Sequence, residues 1–149
     1  MLKEILPTIF ERDIRKLIDE INLYKDEDKL WAVPEGISNS AGNLCLHLIG
    51  NLSHFIGATL GHTGYVRRRD EEFSLKNIPR QDLLINIENT ILIVKKTFSE
   101  LNDEDLEKDF PLEMNGKILK TDFMLLHLLT HLSYHLGQIN YHRRLIDLK

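Results

Sequence analysis

Thr121 to Ile146 reads TDFMLLHLLTHLSYHLGQINYHRRLI. On a helix each residue advances about 100° around the axis. On that count Leu125, Leu128, Leu132, Leu136 and Ile139 form one apolar stripe. With His131 at zero, His127 and His135 lie about 40° to either side, and Gln138 and His142 fall between them. The leucine stripe is centred about 100° away. The histidines therefore run beside the core-facing stripe rather than opposite it, which places them at the edge of a helix-packed interior.

Three more segments carry the helical period, and no segment of comparable length alternates as a strand does. The first spans roughly Leu6 to Tyr24, with Ile9, Phe10, Ile14, Leu17, Ile18 and Ile21 on one stripe. Pro7 suits its first turn, where a missing N–H is harmless. After a loop through Trp31, Pro34 and Gly36, the second begins near Ser38 to Ser40, which are good caps. It carries Leu44, Leu48, Leu52, Phe55 and Ile56 and ends around Gly61 to Gly64. The third follows Pro79 and reaches about Leu101, with Leu84, Ile87, Ile91 and Val94 on its inner face. A polar loop from Asn102 to Lys120 contains the turn signal Asn115-Gly116, suited to a small hairpin. Thr121 reads as the cap of the last segment.

Four amphipathic segments of similar length bury their stripes only against one another. The expected fold is all-α, an antiparallel four-helix bundle with irregular loops, in one domain covering residues 1–149.

The second segment repeats the polar geometry of the last. With His47 at zero, Asn51, His54 and Ala58 fall within about 40° of it. If the two helices are neighbours, both polar stripes border one cleft. Two imidazoles at i and i+4 and a third from the facing helix then converge on one cation. Neutral imidazole suits zinc, nickel, copper or iron, and three protein ligands leave a position for water or substrate. Spacing alone does not choose between His127/His131 and His131/His135, nor between His47 and His54. A lone histidine beside an apolar face is more often a packed residue with one satisfied N–H.

Composition narrows the function classes. Of 149 residues, 42% are hydrophobic and 28% charged, as in an ordinary soluble protein. The formal charge is −4, and the run Arg67-Arg68-Arg69 is followed at once by Asp70, Glu71 and Glu72. No basic face for nucleic acid is expected. No apolar stretch is long enough to span a bilayer, and the N-terminal stretch MLKEILPTIFERD lacks the pattern of a secretory signal. Cys45 is the single cysteine, so no internal disulfide forms. A cytoplasmic protein with neither nucleic-acid nor membrane partners is expected.

The stretch from Thr130 to Ile139 contains H-x-x-x-H-x-G-Q as His131, His135, Gly137 and Gln138. It resembles the last-helix signature of the DinB/YfiT-like superfamily. Ser38-Asn39-Ser40-Ala41-Gly42-Asn43-Leu44 with His47-Leu48 resembles the start of the second helix in an uncharacterised DinB-like subgroup. Arg67, Arg69, Asp70, Glu72 and Phe73 resemble that subgroup's R-x-R-D-x-E-F segment. The resemblance implies a four-helix bundle that holds one divalent ion, zinc or nickel, through His47, His131 and His135. It also implies a homodimer and a metal-dependent transferase or hydrolase acting on a small electrophile, with a low-molecular-weight thiol as partner substrate. The alternative is a non-enzymatic, metal-stabilised or stress-related protein that binds a small ligand.

Further residues carry two readings each. His127 is a cleft residue or a packed one, and His54 lines the cleft or sits at its solvent edge. Gln138 orients a ligand or ties the helix to a loop. Arg67, Arg69, Asp70 and Glu72 form an anion clamp at the cleft mouth or a salt-bridged loop that fixes Phe73 and Trp31. The second is preferred, because close charge pairs often serve only local geometry. Cys45 projects toward the apolar side as a small core residue. Gly50, Ser53 and Gly57 share a face that permits close approach, inside the bundle or across a dimer.

Overall fold

In the computed structural model, which describes residues 1–148, the chain is all-helical. The elements are α1 (Leu2–Leu23), a 3-10 turn (Glu27–Trp31), α2 (Ala41–Leu52) continuing into a π-helical segment (Ser53–Ala58), α3 (Arg69–Ser74), α4 (Arg80–Glu100), α5 (Asp103–Glu107) and α6 (Thr121–Ile146). α1 packs on α4 and α6, and α2 packs on α3, α4 and α6. One continuous apolar cluster fills the space between them. It runs from Leu6, Phe10 and Ile14 through Leu48 and Ile87 to Leu128, Leu132 and Ile139. No helix among the described residues is long and apolar enough to cross a membrane.

Several boundaries differ from expectation, each for a local reason. α1 begins at Leu2, so Pro7 lies inside the helix rather than in its first turn. Its missing N–H leaves only the Lys3 carbonyl without its intrahelical partner. The inner residue near the start of α4 is Leu83, fully buried, while Leu84 is only partly so. α6 starts as expected, but Thr121 does not cap it. The cap is Lys120, and the Thr121 backbone N–H and hydroxyl both donate to the Lys108 carbonyl, at 2.9 and 3.0 Å.

The polar loop before α6 has more structure than its composition suggests. Asn102 and Asp105 cap α5 reciprocally, a capping box in an acidic stretch. Asn115 and Gly116 both take positive φ, 52° and 75°, and antiparallel bridges Asp109–Lys120 and Met114–Lys117 flank them. That is the small hairpin read from Asn-Gly. Leu106 and Phe110 anchor it in the core.

At the other end of α2, the stretch Ser40 to Asn43 is a junction. The Ser40 hydroxyl accepts the Asn43 N–H at 3.1 Å and donates to Asn43 Oδ1 at 2.7 Å. Asn43 Nδ2 in turn donates to the carbonyls of Glu72 and Leu75, at 2.9 and 2.8 Å. The buried Asn43 amide thus fixes α3 against the first turn of α2. Gly42 permits the approach of Trp31, for a Cβ there would lie 2.7 Å from the indole ring.

Candidate metal centre

His47 stands on α2 about two turns beyond its capped start at Ser40, and His131 and His135 stand one turn apart on α6. Packing of α2 on α6 brings the three rings together. Their donor atoms all lie within 4.8 Å of one another. His131 Nε2 is 3.1 Å from His47 Nε2 and 3.1 Å from His135 Nε2. The rings stand nearly perpendicular, at 75° to 90°, so they meet edge-on at their nitrogens rather than face to face.

The opposite nitrogens determine what those three Nε2 atoms carry. His47 Nδ1 is 3.0 Å from Glu72 Oε1. An ionised carboxylate only accepts, so Nδ1 holds the proton and His47 Nε2 is a bare lone pair. His135 Nδ1 is 2.7 Å from Gln138 Oε1, and the same logic leaves His135 Nε2 bare. Two lone pairs thus point at His131 Nε2, whose single proton would satisfy only one of them. A cation shared by all three satisfies them together. The 3.1 Å separations fit this, since two nitrogens about 2.0–2.1 Å from one ion, at angles of about 90–109°, lie about 2.9–3.4 Å apart. His131 Nδ1 is buried without a partner, as is Asn51 Oδ1.

Charge also favours the neutral, ligating form. Burial, with the neighbouring rings of His135 and His47, pushes His131 down to about 4. Burial lowers His47 as well, while the Glu72 carboxylate pulls the other way.

Glu72 is the functional residue whose role sequence reasoning missed. It is 6% exposed and accepts from Arg67 in fork geometry, Nε to Oε2 and Nη2 to Oε1, both at 2.9 Å. Arg67 also stands over the Phe55 ring at 5.7 Å. Gly50 clears space for this carboxylate, because a Cβ at residue 50 would lie 2.6 Å from Glu72 Cδ. The R-x-R-D-x-E-F stretch held the signal, yet nothing in it told which acid would turn inward. The salt-bridged reading holds for Arg67 and Glu72, with a correction. The pair braces His47, while Trp31 is fixed separately by Gly42. Phe73 packs on His47 with ring centroids 5.0 Å apart. Asp70 is exposed.

The remaining residues resolve as follows. His54 is half-buried against Phe55, at 4.7 Å between rings. It does not join the group formed by His47, His131 and His135. His127 is exposed and outside the cluster. Gln138 is exposed but engaged with His135. His142 is a structural link, 2.5 Å from the Tyr24 hydroxyl and 2.9 Å from the Ala32 carbonyl. Cys45 is buried, its thiol pushed up to about 12 by desolvation. Of the small-residue face, Gly50 meets Glu72 and Gly57 meets Ile93, so that face is closed within the chain.

Neither the curated proteins nor the solved structures hold a match to this chain. A family model does match, over residues 4–149, nearly its whole length. The chain belongs to the family of proteins of unknown function called DUF1572.

Proposed function

We propose that the protein is a DinB-like four-helix bundle that binds one divalent cation through His47, His131 and His135, and that it uses this ion in transferase or hydrolase chemistry on a small electrophile. The observation that carries the reading is the convergence of three Nε2 atoms, two of them left bare by Glu72 and Gln138. No fourth His, Cys, Asp or Glu joins the group among the described residues. Three protein ligands with an open position are the catalytic pattern, whereas structural zinc closes all four. This favours the enzymatic reading over the purely metal-stabilised one.

A bound dication would act as a Lewis acid and lower the pKa of a thiol or water held beside it. The chain's own part is to present neutral imidazoles in fixed tautomers. Glu72 holds His47 and Gln138 holds His135. Zinc and nickel are among the ions an all-imidazole set suits and are the proposed ones, and a low-molecular-weight thiol is the proposed nucleophile.

Element analysis of protein purified without a histidine tag tests the first half. One equivalent of zinc or nickel is expected in the wild type and little in His47→Ala or His135→Ala. Turnover of chlorinated or epoxide electrophiles with thiols, measured on metal-loaded protein, tests the second half. Equal turnover in His131→Ala would remove the catalytic reading.

A further inference from the structure

The fold divides Arg67-Arg68-Arg69 among three tasks. Arg67 is spent on Glu72. Arg68 makes a surface pair with Glu71 at 3.4 Å. Arg69 stands over the Phe73 ring at 5.2 Å and makes no side-chain hydrogen bond or ion pair among the described residues. Phe73 is the ring that packs on His47. On the other flank, Tyr134 is 66% exposed and its ring lies 5.3 Å from that of His135. The three-imidazole centre is therefore bordered by two aromatic rings, one of which carries an uncommitted guanidinium on its face.

We infer that this rim selects an anionic substrate: a metal-seeking head group at the imidazoles, an apolar body against Phe73 and Tyr134, and a carboxylate on Arg69. The inference rests on the metal reading above and adds the substrate's charge to it. An exposed arginine by itself is worth little. Here the guanidinium is stacked on an aromatic face, so less side-chain freedom is lost when it closes on a planar carboxylate in fork geometry. The one buried carboxylate nearby, Glu72, is already matched by Arg67, so it does not compete for Arg69. Two successive ring contacts separate Arg69 from His47, which calls for a ligand of several carbons rather than acetate-sized ones.

The probes are mercaptohexanoate and mercaptohexanol, thiols of equal length ending in a carboxylate or a hydroxyl. Untagged protein is loaded with cobalt(II), its cobalt content is measured, and thiol binding is followed by sulfur-to-cobalt absorption. The variants are Arg69→Gln and, as the neighbouring control, Arg68→Gln. The wild type is expected to take one cobalt and bind the carboxylate thiol about 10-fold more tightly, as one charge-assisted hydrogen bond implies. Arg69→Gln should keep its cobalt and lose the preference, while Arg68→Gln should keep both. Equal binding of the two thiols by wild type overturns the inference, as does a preference that survives in Arg69→Gln or cobalt-loaded protein that binds neither thiol. Failure to bind cobalt is a separate result, seen before any thiol is added, and it overturns the metal reading itself.

Discussion

The Glu72 carboxylate occupies the space that a side chain at Gly50 would fill: a Cβ on residue 50 would come within 2.6 Å of Glu72 Cδ. Gly50 sits inside the continuous helix made by α2 and its π-helical extension, where glycine costs about 1 kcal/mol relative to alanine. That cost is set against a buried acid placed directly behind His47. Gly50→Ala should therefore destabilise the protein despite alanine's better helix propensity, by about 1–3 kcal/mol for an overpacked site. It should also weaken zinc binding, because Glu72 has to move. Urea unfolding and competition titration with a zinc chelator check both effects. A stabilised Gly50→Ala variant would mean that the carboxylate has room to spare.

Glu72→Gln separates the acid's charge from its volume. Glutamine still fills the space beside Gly50 but binds Arg67 and His47 less strongly. Loss of such a partner typically weakens metal affinity about 10–100-fold, and that is the expected drop in zinc affinity. Arg67→Met should cost stability, since it leaves Glu72 buried with one partner fewer, about 3–5 kcal/mol where a buried pair is broken. His47 Nδ1–H would still meet the carboxylate, so Arg67→Met should retain zinc. Calorimetric titration on both variants reads the contrast. Similar zinc loss in the two would show that Glu72 acts only through its ion pair.

The residues that were hardest to read from sequence are those whose role depends on a partner far along the chain. The helical stripes of α1, α2, α4 and α6 were legible because burial of a 3.6-residue period is a local property. So was the hairpin at Asn115-Gly116, where two adjacent residues must both take positive φ. The His131/His135 pair was visible as i and i+4, but its preference over His127/His131 was not. That choice depends on how far α6 slides along α2, and the resemblance to a known motif supplied it before the packing did. Glu72 was invisible as a support for His47, because 25 residues separate them and three acids in succession look alike in a charged loop. The short α3 and α5 were missed for a related reason. α5 is held by its capping box and α3 by the Asn43 amide on the Glu72 and Leu75 carbonyls, rather than by an apolar stripe of its own.

Asn43 should prove more important to the centre than its distance from the three histidines suggests. Its amide nitrogen donates to the carbonyls of Glu72 and Leu75, and its amide oxygen accepts from the hydroxyl of Ser40, the cap of α2. Asn43→Ala leaves two acceptors in a buried region without their donor, at about 1–3 kcal/mol each. The expected result is a lower melting temperature and a zinc affinity reduced in step with that of Glu72→Gln. Gly42→Ala is the comparison. It pushes into Trp31 and should lower stability while leaving zinc affinity near that of wild type. Zinc titrations below the melting temperature of each variant distinguish the two. Equal zinc affinity in Asn43→Ala and wild type would show that α3 stays in place without this amide.

Acid should act on the metal-free protein through His131. Burial holds this ring down to about 4 in the folded state, against an ordinary value near 6.5. Above about pH 6.5 the ring is neutral in both folded and unfolded chains and adds no pH dependence. As pH falls from there toward 4, the unfolded chain takes up the proton first. The unfolded state is then favoured, and stability declines across that window. Below about 4 the folded ring is protonated too, and its contribution levels off. His47, also lowered by burial, adds to the same slope with the same sign. Chemical unfolding of chelator-treated protein at a series of pH values should show this decline, and His131→Gln should flatten it. Added zinc should make the dependence steeper, since protons and the proposed ion would compete for the same lone pairs. A metal-free protein whose stability is constant from pH 7 to pH 4 would mean that His131 is far better solvated than its packing against His47 and His135 indicates.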